Sequence, residues 1–178
     1  MSLLDQAQAL QAEARQLADR LQLESAFPWR PQLIGSALSG LMVDRDLDIM
    51  FDAPDATAPR ILDGLTHVAR RIDVRSLDLR DERADRRPTP AITDERFYAV
   101  LHTPTWKIDL TFWLHIIDRP HVEDALRLRD ATAEQRLTIL RLKAAGPDLG
   151  SSDIYAAVLG TDRSAGRPAT PPDGRHSF

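Results

Sequence analysis

Two aspartates one residue apart lie in the stretch Asp46-Leu47-Asp48-Ile49-Met50-Phe51. In a strand, alternate side chains share a face, so both carboxylates point one way and Leu47, Ile49 and Phe51 point into a core. Carboxylates held side by side repel each other unless a cation lies between them. Hard oxygen donors of this kind suit Mg²⁺, which takes one or two protein carboxylates together with substrate phosphates. Upstream, Leu33-Ile34 leads into Gly35-Ser36 and a small-residue turn closed by Gly40. Glycine lets the backbone come close to a ligand, and a serine hydroxyl with exposed N–H groups binds phosphate oxygens. A phosphate-holding turn followed by a metal-holding carboxylate pair is chemistry for moving a phosphate-containing group.

A lone carboxylate stands in a later apolar strand. From Thr105 to Leu114, alternation puts Trp106, Ile108, Leu110, Phe112 and Leu114 on one face, and Lys107, Asp109, Thr111 and Trp113 on the other. An unpaired charge there is expensive to bury, and a metal shared with Asp46 and Asp48 supplies a reason for it. Gly-Ser, a second Gly, then Asp-x-Asp on the next strand, with Asp109 further on, resembles the nucleotidyltransferase superfamily of DNA polymerase beta-like fold. The resemblance covers Gln32 to Leu114. It departs at Arg45, where the family often has Ser or Thr before the first metal-binding Asp.

The resemblance implies an enzyme in which Asp46, Asp48 and Asp109 are the catalytic residues and hold two Mg²⁺ ions. Gly35 and Ser36 would meet the nucleotide phosphates. A nucleoside monophosphate would pass from an NTP, ATP by preference, to an acceptor hydroxyl, releasing pyrophosphate; two ions can stabilise both the attacking and the leaving oxygen. Asp109 could also take the acceptor proton. Lys107, on the same face as Asp109, is the first candidate for a cation on the departing phosphates, ahead of Arg45 and of Arg83, Arg86 and Arg87. A solvated or ion-paired lysine is its competing reading. The histidines show no spacing that argues for zinc, and Trp113 either stacks on a base or packs under a helix.

The elements that position these residues follow from pattern. Leu3, Ala7, Leu10, Ala14, Leu17 and Leu21 form one apolar stripe, which predicts a helix from Ser2 to Glu24 packed on the core. The same stripe would also allow a homodimer. A second helix is expected over 59–72, strands over 74–79 and 97–101, and a charged hairpin loop over 80–95. Beyond Pro120 the pattern is helical, with a Thr132/Gln135 capping box, a stop at Gly146-Pro147 and a short helix capped by Ser151 or Ser152 and ended by Gly160. The expected fold is α/β of the α+β type: a small mixed, twisted sheet with helices packed on one side and a helical C-terminal segment. The expected segments are an N-terminal helix (1–26), the transferase-like core (27–118), C-terminal helices (119–160) and a disordered tail (161–178).

Composition bounds the partners. The chain has 178 residues, is 43% hydrophobic and 28% charged, and has no cysteine, which excludes disulfides and thiolate-bound zinc. No apolar run reaches the roughly 20 residues that span a bilayer, and the N-terminus does not read as a signal or transit peptide, so a cytoplasmic setting is expected. With 23 Lys+Arg against 27 Asp+Glu, the net charge is -4, which argues against a protein that coats nucleic acid. The acceptor is therefore expected to be a small molecule or a protein rather than a long RNA. Two other readings stand beside transfer: a non-catalytic nucleotide-binding or antitoxin-like interaction protein of the same fold, and a hydrolase that uses the same metals.

Overall fold

A computed structural model describes residues 2–88, 94–115, 120–146 and 150–160. Helix α1 (Leu3–Leu21) opens on a capping box in which Ser2 and Asp5 satisfy each other's backbone N–H groups. Gln22, left-handed at φ 49°, breaks the expected single helix and starts the short α2 (Leu23–Ala26). The Arg71 guanidinium donates to the Gln22 amide oxygen at 2.8 and 3.0 Å and pins this break. The apolar stripe is used inside the chain: Ala7, Ala14, Leu17 and Leu21 are all buried in its own cores.

The chain then forms β1 (Pro31–Leu33), α3 (Gly35–Ser39) and β2 (Asp46–Asp52). The small-residue turn is thus a short helix, closed by Gly40 at φ 75°. Helix α4 (Ala58–Ala69) carries Pro59 in its first turn and buries Ile61, Leu65 and Val68. Gly64, a poor helix former, has a packing reason: a Cβ there would lie 2.2 Å from the Phe27 ring. That ring meets Phe51 and Phe112 at 5.1 Å, at the centre of the core.

Strand β3 (Ser76–Glu82) continues into the segment expected to be loop. Ion pairing explains the charged strand. Asp81 accepts from Arg83 at 2.7 Å and pairs with Arg86 at 3.1 Å, and the buried Glu82 pairs with Arg96 at 2.6 Å. A single 3-10 turn, Ala84–Arg86, follows; residues 89–93 of the expected hairpin loop lie outside the described residues. Strands β4 (Arg96–His102) and β5 (Lys107–Trp113) complete a sheet in the order β1-β2-β5-β4-β3. The β2–β5 pair is parallel and the other pairs are antiparallel, so the sheet is mixed.

Helices α5 (Pro120–Arg129), α6 (Ala133–Ala145) and α7 (Ser151–Leu159) form the C-terminal segment. The Thr132/Gln135 capping box opens α6 at 3.2 and 2.9 Å, and Gly146 ends it. Helix α7 differs from expectation at its start. Gly150, not a serine, is the N-cap, and its carbonyl accepts from Asp153 and Ile154. Gly160 ends α7 at φ 66°, while Pro147 and the expected tail at 161–178 lie outside the described residues. The main core joins one face of the sheet to α1, α2 and α4, and a smaller core joins α1 and Leu41 to α5, α6 and α7. The opposite face of the sheet carries the polar residues, with α3 packed over Met50 and Trp113 at one end. Among the described residues, no helix is long and apolar enough to cross a membrane.

Candidate active site

The register of the parallel pair brings the aspartates together. Asp48 lies opposite Asp109, and Asp46 lies opposite Lys107. Parallel neighbours are roughly 4.8 Å apart and share the orientation of their side chains, so all four groups rise from one face. One carboxylate oxygen from each of Asp46, Asp48 and Asp109 lies within 4.8 Å of the others. Had Asp109 faced the core, no common ligand could join the three.

Helix α3 supplies the edge of the site. Gly35 sits at φ 60°, and a Cβ added there would lie 2.7 Å from Asp48 Oδ2. Glycine therefore answers two demands at once, a left-handed backbone and a close approach to the carboxylate. The Ile34 N–H donates to the Asp48 carbonyl at 3.1 Å and locks the turn to β2.

The electrostatics are those of a crowded acidic site. Burial, followed by the charges of Asp46 and Asp109, pushes Asp48 up to about 7. Burial also raises Asp46, against the pull of Lys107. Lys107 Nζ bridges Asp109 Oδ2 at 2.7 Å and Asp46 at 3.3 Å. Burial works to lower this ammonium, but its bonds and charge interactions with Asp109 and Asp46 outweigh that and raise it. The Tyr98 hydroxyl, from β4, donates to the same Asp109 Oδ2. Burial and this carboxylate push the phenol up, so it remains a donor. Asp109 is only 8% exposed, and its other oxygen, Oδ1, is buried with no hydrogen-bond partner. A buried carboxylate oxygen without a partner is costly. All-oxygen donors, mutual repulsion and that orphaned atom fit a hard divalent cation.

Two cavities, each about 330 Å³, meet at Asp48 and Ile34. The first holds Gly35, Ser36, Asp44, Asp46, Lys143 and Tyr155. The second runs along the sheet past Arg80, Arg96, Tyr98, Asp109, Thr111 and Trp113. Gly35 and Ser36 thus share a cavity with Asp46 and Asp48, whereas Asp109 opens on the second. Lys107 is held between carboxylates and does not line the first cavity. Arg45 pairs with Glu13 at 2.9 Å, while Arg83 and Arg86 are paired with Asp81. Trp113 lies under the Arg96 guanidinium, 5.1 Å from the ring centre, at the wall of the second cavity.

Lys143 and Tyr98 were missed by the sequence reasoning. Lys143 comes from α6, donates to the Leu41 carbonyl at 2.9 Å and lies over Tyr155. Burial lowers its ammonium, while Asp48, Asp44 and Asp46 pull the other way. Nothing local marks it, since it reaches the site only through the packing of α6 on Leu41. Strand alternation does place Tyr98 on the polar face of β4; its partner depended on register.

No protein-family model matches the chain, and no curated protein matches it. Solved structures do. The fold is one also seen in a solved RNA terminal uridylyl transferase. The chain is similar to Cid1, described as having RNA terminal uridylyl transferase activity, with a TM-score of 0.53 and 18% identity over 87% of this chain and 48% of that one. It is also similar to terminal uridylyl transferase 4 from Trypanosoma brucei with bound UPU (TM-score 0.47, 18% identity, 83% of this chain, 50% of that chain). A further match is the GLD-2/RNP-8 complex (TM-score 0.47, 15% identity, 88% of this chain, 62% of that chain). The chain spans about half the length of Cid1.

Proposed function

We propose that the protein transfers a nucleoside monophosphate from an NTP, ATP by preference, to an acceptor hydroxyl. The observation that carries this reading is the convergence of Asp46, Asp48 and Asp109 beside Gly35, with Asp109 Oδ1 buried and unpartnered. Fold alone would not suffice, because one fold hosts many functions.

Asp46, Asp48 and Asp109 would hold Mg²⁺, two ions in this reading. Bound there, Mg²⁺ would neutralise phosphate charge and lower the pKa of the acceptor hydroxyl. Gly35, Ser36 and Lys143 bind the triphosphate in the first cavity, where Tyr155 offers a ring to the base. Lys143 is suited to this because it is already desolvated and faces the carboxylates. The acceptor enters along the second cavity, so its hydroxyl meets the α-phosphate on the side opposite the departing pyrophosphate. Asp109 takes the hydroxyl proton. The acceptor oxygen bonds to the α-phosphorus, the α–β phosphoanhydride bond breaks, and pyrophosphate leaves toward Lys143. The core at 27–118 supplies the carboxylates and the helices at 119–160 supply the phosphate cation. A cytoplasmic setting, where NTP and Mg²⁺ are abundant, and a small-molecule or protein acceptor complete the proposal.

The test is Mg²⁺-dependent NTP consumption with pyrophosphate release over a panel of acceptors. Asp48→Asn should keep its circular dichroism and lose turnover. Full activity in that variant would remove the scheme. Release of inorganic phosphate would identify a hydrolase, and Mg²⁺–ATP binding without turnover on any acceptor would identify a binding protein.

A further inference from the structure

Lys107 stands where an ion's charge would otherwise be needed. Register alone places it there: it faces Asp46 across the parallel pair and lies two residues before Asp109 on the same strand face. Its Nζ contacts Asp109 Oδ2 at 2.7 Å and both Asp46 oxygens at 3.3 and 3.4 Å. Tyr98 donates to that same Asp109 oxygen. Two donors therefore converge on Oδ2 and leave Oδ1 bare. The donors differ in freedom. The Lys107 side chain is 39% exposed and has a path to solvent, whereas the Tyr98 ring is held beneath the Arg96 guanidinium at 4.8 Å, and Arg96 is itself fixed by Glu82 at 2.6 Å.

We propose that Lys107 is a resident counter-ion of the acidic site. It holds Asp46 and Asp109 together in the absence of a divalent cation and withdraws when one enters, while Tyr98 remains and keeps Asp109 aimed. The inference rests on the metal reading of the three aspartates but concerns the protein before metal arrives. Folding places three carboxylates side by side, and one mobile ammonium relieves part of their repulsion. The same ammonium opposes the incoming cation, so the protein gives up metal affinity for stability without metal. Once withdrawn, Lys107 becomes available to the phosphates, the role its sequence position suggested.

The test measures Mn²⁺ binding without nucleotide, by the paramagnetic resonance of the free ion, together with melting in EDTA. Wild type, Lys107→Met, Lys107→Arg and Asp48→Asn are compared. K107M should melt lower than wild type in EDTA. It should bind Mn²⁺ at least about tenfold tighter, since in wild type the ion must displace Lys107 from Asp109 and Asp46, and one charge-assisted contact is worth about that factor. K107R keeps the charge and should match wild type in both. Should K107M not fold in EDTA, Mn²⁺ should restore its fold at a lower concentration than saturates wild type, and failure to do so counts against the proposal. Equal or weaker Mn²⁺ binding by folded K107M overturns it. The two readings separate cleanly: wild-type binding that D48N abolishes preserves the metal site even if K107M is unchanged, whereas no binding by wild type or K107M removes both.

Discussion

Replacing Asp48 with Asn should stabilise the metal-free protein while inactivating it. Burial and the charges of Asp46 and Asp109 raise Asp48 from 3.8 to about 7 in the fold. A carboxyl raised on folding binds its proton more tightly in the native state. Its contribution is therefore fully present below the unfolded value near 3.8, and it falls away as pH climbs to the folded value near 7. Above that, native Asp48 is ionised at a cost of at most about 4 kcal/mol, from roughly three pKa units at 1.36 kcal/mol each. Asparagine carries no such charge. D48N and wild type should thus have similar stability at pH 4, diverge between pH 4 and 7, and differ by a constant amount above pH 8. For a chain of this size, each kcal/mol moves the melting temperature by roughly 2–4 °C. Urea and thermal melts in EDTA at pH 4, 6 and 8.5 provide the assay. Saturating Mg²⁺ at pH 8.5 should raise wild type alone and close the gap. A D48N protein no more stable than wild type at pH 8.5 in EDTA would show that the carboxylates do not strain the fold, and the electrostatic reasoning would be wrong.

Three further substitutions probe separate parts of the structure. Gly35→Ala adds a methyl 2.7 Å from Asp48 Oδ2 on a left-handed backbone; it should cost about 1–2 kcal/mol through that backbone and weaken Mn²⁺ binding, read by the resonance of the free ion. Gly64→Ala sets two effects against each other. Helix propensity favours alanine by about 1 kcal/mol, but its methyl would meet the Phe27 ring at 2.2 Å and the Ala26 carbonyl at 2.8 Å, so urea melts should show a net loss. Lys143→Met should leave nucleotide-free Mn²⁺ binding in place and weaken binding of a fluorescent ATP analogue at least about tenfold, the value of one charge-assisted contact; unchanged nucleotide affinity would remove Lys143 from the phosphate site.

The legible part of the fold was the part written in local period. Alternation from Asp46 to Phe51 assigned Asp46 and Asp48 to one face, and the same rule assigned Lys107 and Asp109 to one face of β5. The Thr132/Gln135 and Gly160 signals marked real helix ends because a cap is satisfied by residues a few positions away. Misreadings fell where a distant partner decides. Arg80 to Glu82 looked like a charged loop, yet they extend β3 because Arg96 neutralises Glu82 from the next strand. The long N-terminal helix broke at Gln22, where Arg71 reaches across to hold the turn.

By itself, the sequence determined which side chains share a strand face and which turn could admit a ligand, since both depend on neighbours along the chain. Only the tertiary structure decided that β2 pairs with β5, that the pair is parallel, and that its register sets Asp48 against Asp109 and Lys107 against Asp46. It also brought in Lys143 from α6 and Tyr98 from β4. Backbone hydrogen bonds would accept many registers. Burial of the apolar face selects one, because a slip of a single residue would turn every core side chain toward water.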